Sequence, residues 1–268
     1  MNRLYSLRAG TAALHILLLA TAAVPLALPT PAAATANASQ YQRFDGVYRL
    51  TVANNTWLDL DTGSGELVGT LWHRGEDRLE RRGTFVVDNA LSTPSKLVGN
   101  LNGARREMML SPDGNGLLVM TGTNGSFYRR VEQIGSTAGL LNRNQVEAKF
   151  RGRWKTPLGD LLIEGGPGTT RHGPPMTGKL FRPDGTTVRH LLVDPLFQGG
   201  EDSEQTVWRW GTPGTGQSGR GLIIAVSPDG TMLSAYNESA YNQGVAAPLG
   251  GVQSWLATKE GAAPWPSL

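Results

Sequence analysis

Short apolar runs alternate with turn-forming residues along nearly the whole chain after residue 44. Alternation with a period of two marks half-buried strands, and the Gly, Pro, Asn and Asp clusters between runs mark their ends. The pattern predicts strands at 47–52, 56–60, 66–74, 81–87, 96–102, 105–111, 116–122 and 126–131. It predicts a further set at 153–156, 160–164, 176–182, 187–193, 206–211, 221–226, 232–236 and 252–257. Strands recurring at this close spacing point to sandwiches or up-and-down barrels. One stretch, 134–149, is a helix candidate. Ser136 or Thr137 would cap it, and Leu140, Leu141, Val146 and Ala148 would face inward.

The turns give the register of the hairpins. Ser111-Pro112-Asp113-Gly114 and Ser227-Pro228-Asp229-Gly230 each separate two apolar runs. Pro presets φ, Asp caps its own backbone and Gly takes positive φ. Asn102-Gly103 and Asn124-Gly125 are two-residue hairpin signals.

Three landmarks occur twice in the same order. Phe44-Asp45-Gly46-Val47-Tyr48 is echoed by Phe150-Arg151-Gly152-Arg153-Trp154. Glu66-Leu67-Val68-Gly69-Thr70-Leu71 is echoed by Pro175-Met176-Thr177-Gly178-Lys179-Leu180. The Ser-Pro-Asp-Gly turns complete the series. The offset grows from 106 to 109 to 116 residues, as loop lengthening after a duplication would produce. The fold class is therefore all-β, with two tandem antiparallel meander barrels or sandwiches. The expected organisation is a signal peptide and lead-in (1–38), a first meander (39–133), a linker (134–149), a second meander (150–260) and a tail (261–268). The lead-in at 35–43 is expected to be flexible and the Pro264-Trp265-Pro266 tail frayed.

Gly-x-aromatic on a first strand, followed by Gly65-Glu66-Leu67-Val68-Gly69-Thr70-Leu71 and a meander, resembles the calycin class of barrels, which includes lipocalins and avidin-type barrels. The resemblance covers most of each copy, hence a duplicated calycin-like unit. It implies a barrel with a ligand mouth, with Gly46, Tyr48, Gly152 and Trp154 as barrel-bottom packing residues. It carries no ligand-contacting residue with it. Each copy is short for a lipocalin, so two packed meanders and one larger fused barrel both stay open.

Composition narrows the chemistry. There is no Cys among 268 residues, so disulfides, thiolate catalysis, Cys-ligated zinc and a lipoprotein anchor are excluded. The leader reads as a secretory signal: a basic start with Arg3 and Arg8, an apolar run from Ala12 to Leu28, and small residues Ala32-Ala33-Ala34. Pro25 and Pro29 break the run and argue against a retained membrane span, although an uncleaved anchor is the alternative. The sequence pI of 9.3 reflects this leader in part. Removing Arg3 and Arg8 lowers the formal charge from +3 to about +1, which gives no warrant for nucleic-acid binding. The expected location is secreted or periplasmic. Asn37, Asn54, Asn124 and Asn237 head Asn-x-Ser/Thr sequons.

Candidate chemistry is sparse. His73, His172 and His190 show no metal-ligand spacing, so no metal and no cofactor is expected. Asp59 and Asp61 fall on one strand face, and Glu164 and Asp184 are further carboxylates for acid–base work. A solvated strand edge explains Asp59 and Asp61 equally. Glu201, Asp202 and Glu204 form an acidic loop. The doublets Arg81-Arg82, Arg105-Arg106 and Arg129-Arg130 recur every 24 residues. Their outward members Arg82, Arg106 and Arg130 would form a basic ridge if their strands were neighbours, or else pair with Glu80, Glu107 and Glu132. Trp208 and Trp210 share a strand face. With Tyr236 and His172 they could line a ligand site, or the aromatics could simply fill the core.

The leading expectation is an exported, non-catalytic binding protein. Its partner would be a small ligand, a cell-wall glycan or another protein of inhibitor or immunity type. The alternative is a carboxylate-based glycan hydrolase or lyase, and a third reading is a purely structural protein with filled barrels. The long loops 165–175 and 197–204, with the Arg ridge, are the expected contact surface.

Overall fold

The alternation of the sequence becomes two antiparallel rings. The computed structural model describes residues 38–53, 55–165, 176–193, 205–211, 217–237 and 254–266. The first ring runs β1 (Gly46–Leu50), β2 (Thr56–Asp61), β3 (Val68–Arg74), β4 (Leu79–Val87), β5 (Lys96–Leu101), β6 (Ala104–Leu110), β7 (Gly116–Thr121) and β8 (Asn124–Val131). Each strand pairs with its sequence neighbours, and β8 returns to β1 with Val131 opposite Val47. The second ring runs β9 (Gly152–Thr156), β10 (Gly159–Gly165), β11 (Met176–Phe181), β12 (Thr187–Val193), β13 (Gln205–Gly211), β14 (Gln217–Val226), β15 (Met232–Asn237) and β16 (Ser254–Lys259). It keeps the same up-and-down order and returns from β16 to β9. Its seams are thin. Leu191 and Leu192 join β12 to Trp210 and Arg209 of β13, and Thr258 and Lys259 join β16 to Lys155 and Trp154 of β9. The chain is all-β with two rings, not one fused barrel.

Period two decides what each residue meets. On β6, Met108 and Leu110 join Leu97, Leu117 and Tyr128 inside the first ring. Met109, between them, points the other way and meets Phe127, Ala225 and Met232 where the rings pack together. Burying each such side chain stabilises by roughly 1.5–3 kcal/mol. Ser234 Oγ donates to the Gly125 carbonyl at 2.7 Å and Ser254 Oγ to Thr123 Oγ1 at 2.6 Å, so the contact between rings is also hydrogen-bonded.

The duplicated landmarks occupy matching places. Tyr48 Oη donates to the Phe44 carbonyl at 3.0 Å, and Trp154 Nε1 donates to the Phe150 carbonyl at 2.8 Å. Arg130 lies over the Tyr48 ring and Lys259 over the Trp154 ring. Gly46 (φ 142°) and Gly152 (φ 128°) let those cationic arms pass. A Cβ there would come 2.8 Å from Arg130 Nε or 2.9 Å from Lys259 Cε. The two Ser-Pro-Asp-Gly turns also match. Gly114 N donates to Ser111 O and Gly230 N to Ser227 O, each at 2.9 Å, with φ of 73° and 72°. Ser111 Oγ accepts from Gly116 N, and Ser227 Oγ from Met232 N.

Three expectations need correction. The lead-in is not loose from residue 38 onward: Ala38–Phe44 is a 3-10 helix that buries Tyr41 and Phe44 in the end of the first ring. The linker helix is shorter than expected, α1 (Arg143–Phe150). Its cap is neither Ser136 nor Thr137 but Asn142, which accepts from Gln145 N while Gln145 Oε1 accepts from Asn142 N. Val146 and Phe150 enter the second core, whereas Ala148 is exposed and Glu147 is buried in its place. The tail is not frayed at Trp265, which is 4% exposed. Its ring meets Phe127 edge-on at 5.9 Å, and its Nε1 donates to Asp229 Oδ2 and Thr231 Oγ1.

Candidate functional site

The carboxylates nominated by the sequence lie in three places. Asp59 and Asp61 share the outward face of β2. Burial pushes the Asp59 carboxyl up, with smaller contributions from Asp61 and Asp45. Asp61 Oδ1 accepts from Gly63 N at 2.7 Å, and Asp45 accepts from Thr62 N at 3.1 Å, so both hold the turn after β2. Glu164 is exposed near the far end of β10, opposite Thr177. Asp184 sits in the β11–β12 turn, at the other end of that hairpin. Hydrogen bonds from Thr186 hold its carboxyl below the usual range, the opposite of what a general acid needs. Among the described residues no three His, Asp or Glu side chains converge as a metal site.

The arginines do not form a ridge. Strands β4, β6 and β8 are separated in the ring by β5 and β7. Arg82 sits at an irregularity of the β3–β4 pairing and bonds Glu80 Oε2 at 2.7 Å. Arg106 falls on the inward register with Met108 and Leu110. Its Nη1 is buried without a hydrogen-bond partner among the described residues. Its charge draws down the Tyr128 hydroxyl, which burial pushes up to about 12. Arg130 lies over Tyr48 and donates to the Asp45 carbonyl. Three residues of one sequence motif therefore serve a surface ion pair, a barrel interior and a barrel closure.

The aromatic candidates are placed by register. Trp208 is opposite Leu222 and Trp210 opposite Leu191, while Tyr236 is opposite Ile223 and Ser254. His172, most of the 165–175 loop, the 197–204 loop and its acidic cluster lie outside the described residues. His73 Nδ1 lies 3.2 Å from Thr56 Oγ1, across from Glu80 on β4.

A cleft of about 780 Å³, which the sequence reading missed, opens at one end of the second ring. Residues 156–159, joining β9 to β10, form one wall, and Phe181, Arg182, Pro183 and Gly185, at the β11–β12 turn, form the other. Arg153 and Lys155 stand on the outward face of β9. Lys155 Nζ bonds Asp160 Oδ2 at 2.8 Å and reaches Glu260 Oε1 at 3.6 Å. Arg153 reaches the same two carboxylates at 3.6 and 3.7 Å. Arg182 lines the cleft and forms no salt bridge among the described residues, though its charge helps draw the Asp184 carboxyl down. Its place follows from the turn. Arg182-Pro183-Asp184-Gly185 is a third x-Pro-Asp-Gly turn, with Gly185 N donating to Arg182 O at 2.9 Å and φ of 82°. In the other two turns the first residue is Ser, whose hydroxyl accepts a backbone N–H from across the turn. Thr186 bonds Asp184 as Thr231 bonds Asp229. The loop is one residue shorter, however, with Arg182 N donating to Thr186 O where Ser227 N donates to Met232 O, and the first position carries a long cationic side chain in place of the Ser hydroxyl. The repeated Pro-Asp-Gly was the sequence signal available for this site.

The chain matches no family profile, no curated protein and no solved structure. No helix among the described residues is long and apolar enough to cross a membrane.

Proposed function

We propose that this is an exported, non-catalytic binding protein built on a duplicated calycin-like scaffold, with its ligand site in the cleft of the second ring. The observation that carries the reading is the cleft itself. Its volume of about 780 Å³ is the size that holds a small molecule or a few sugar units. Its walls are turn residues carried on a closed sheet, the arrangement in which binding residues usually lie. The up-and-down order of both rings is compatible with the calycin resemblance. The cleft also falls where the two copies differ. The β3–β4 turn of the first ring reads Gly75-Glu76-Asp77-Arg78, with no proline and two acids. The dispersal of Asp59, Asp61, Glu164 and Asp184 counts against the hydrolase or lyase alternative.

The test is a binding screen of the mature chain against arrayed glycans, small amphiphiles and extracts of secreted proteins. A Pro157→Trp variant is run in parallel to fill the cleft. Binding by the parent and its loss in the variant are expected. Binding that survives Pro157→Trp overturns the cleft, and release of reducing ends from any glycan overturns the non-catalytic reading.

A further inference from the structure

We infer that the cleft selects a sugar ring bearing a carboxylate, with Arg182 as the residue that reads the charge. The inference rests on the reading of the cleft as the ligand site and adds the chemical class of the ligand.

Charge accounting leads there. Arg153 and Lys155 already have counter-charges, because Asp160 and Glu260 are shared between them. They offer N–H donors more than net charge. Arg182 is the cation of the lining outside that network. Asp184, its neighbour in the turn, is committed to Thr186 through both the backbone N–H and the hydroxyl, at 2.9 and 2.7 Å. The Arg182 charge helps draw the Asp184 carboxyl down, but Asp184 is not part of the cleft lining, so the guanidinium N–H groups that line the cleft can make paired hydrogen bonds with one ligand carboxylate. A phosphate dianion would meet the acidic oxygens of Asp160 without a second unpaired cation to offset them.

The rest of the lining suits a sugar. Phe181 supplies an aromatic surface, and Pro157, Leu158 and Pro183 supply small apolar ones. Such surfaces cover the C–H faces of a pyranose. Asp160 is an acceptor for ring hydroxyls, and Lys155 and Arg153 are donors, so the neutral polar groups of the ligand are also served. A purely apolar ligand would leave these charges desolvated, and a polyanion would face the Asp160 carboxylate. Among the described residues the cleft thus combines a guanidinium outside the Asp160–Glu260 network, a balanced donor–acceptor group and an apolar wall.

The experiment probes the mature chain with arrayed oligosaccharides of galacturonate, glucuronate and mannuronate, their methyl esters, and phosphorylated glucans. Binding to at least one uronate series is expected, with at least a tenfold loss on methyl esterification. Arg182→Gln should bring acid and ester to the same affinity, while Arg182→Lys keeps part of the preference. Phe181→Ala should weaken acid and ester alike. Arg182 is exposed, so unchanged melting of Arg182→Gln separates lost recognition from lost fold. If esters or phosphorylated glucans bind best and Pro157→Trp still abolishes binding, the carboxylate inference falls and the cleft stands. If no uronate binds, or if Pro157→Trp leaves uronate binding intact, the inference falls as well, and in the second case the cleft falls with it.

Discussion

Lys259 Nζ lies 5.2 Å from the centre of the Trp154 ring and 3.2 Å from the Lys149 carbonyl, so the last strand of the second ring locks its first strand to the helix before it. Arg130 and Tyr48 make the same closure in the first ring, at 5.5 Å. The cation differs and the ring differs, but the geometry is kept. Gly152 and Gly46 are the residues that leave room for it.

Gly152→Ala and Gly46→Ala should therefore each destabilise by about 1–3 kcal/mol, from positive φ and from collision with the cationic arm. The two causes separate in a double mutant. Lys259→Ala removes the Cε that a Cβ at Gly152 would meet at 2.9 Å, so Gly152→Ala should cost less in that background. Urea denaturation of the four chains measures the coupling, and strict additivity would show that Lys259 does not constrain the glycine.

The paired turns make a second comparison. Gly114→Val and Gly230→Val should each destabilise by roughly 1 kcal/mol or more, because φ is near +70° at both. Ser227→Ala should cost about 1–3 kcal/mol, since the buried Met232 N–H loses its acceptor. Equal melting temperatures for these variants and the parent would contradict the hydrogen-bonded turn.

Stability should fall at high pH for a stated reason. Burial is the main cause that raises Tyr48 and Tyr128 to about 12 from 10.0, against the nearby charges of Arg130 and Arg106. A raised folded value means that the contribution is whole below pH 10 and is lost as pH climbs through 12. Each phenol accounts for about 2–3 kcal/mol over that window. Denaturation midpoints measured from pH 9 to pH 12 should drop, and Tyr48→Phe should flatten the drop. A flat profile in the parent would count against burial of the two hydroxyls.

The strands were legible because alternation and Pro-Asp-Gly turns are local signals. All sixteen strands in the rings fall where period two placed them, within a few residues at the ends. What was not legible depended on contacts between distant segments. The Arg doublets were evenly spaced in sequence, but ring order puts β5 and β7 between them. Tyr41 and Trp265 lie outside any periodic run, and only the barrel ends and the seam between rings give them a place to be buried. The cleft joins two turns that neither charge nor hydropathy links. Its one local clue was a proline turn that begins with Arg instead of Ser.

The export reading makes a direct prediction. The mature chain should begin between Ala34 and Ser39, just before or at the start of the 3-10 helix that carries Tyr41. Sequencing the N-terminus of the secreted or periplasmic fraction tests it. Recovery of intact Met1 from the cytoplasm would rule it out.

Trp265 provides the last prediction. Its ring lies in the apolar seam with Met109, Leu118, Met120 and Phe127 of the first ring and Ala225 and Met232 of the second. Its Nε1 bonds Thr231 Oγ1 at 2.9 Å and Asp229 Oδ2 at 3.2 Å, so it also fastens the second Ser-Pro-Asp-Gly turn. Removing a buried Trp leaves a cavity and takes one donor each from Asp229 Oδ2 and Thr231 Oγ1, which keep the hydrogen bond between them. Trp265→Ala should therefore destabilise by about 3 kcal/mol or more. Trp265→Phe keeps an aromatic ring against Phe127 and loses the hydrogen bonds and part of the ring volume, so its cost should be smaller than that of Trp265→Ala. Because the ring touches both barrels, the loss should also loosen the seam. Met109 and Met120 should oxidise faster under dilute peroxide in Trp265→Ala than in the parent, while Met108, inside the first ring, should keep its protection. Peptide mapping of methionine oxidation reads this directly. Equal oxidation of Met108 and Met109 in the variant would mean that the first ring had opened as a whole, and that Trp265 supports the fold rather than the seam.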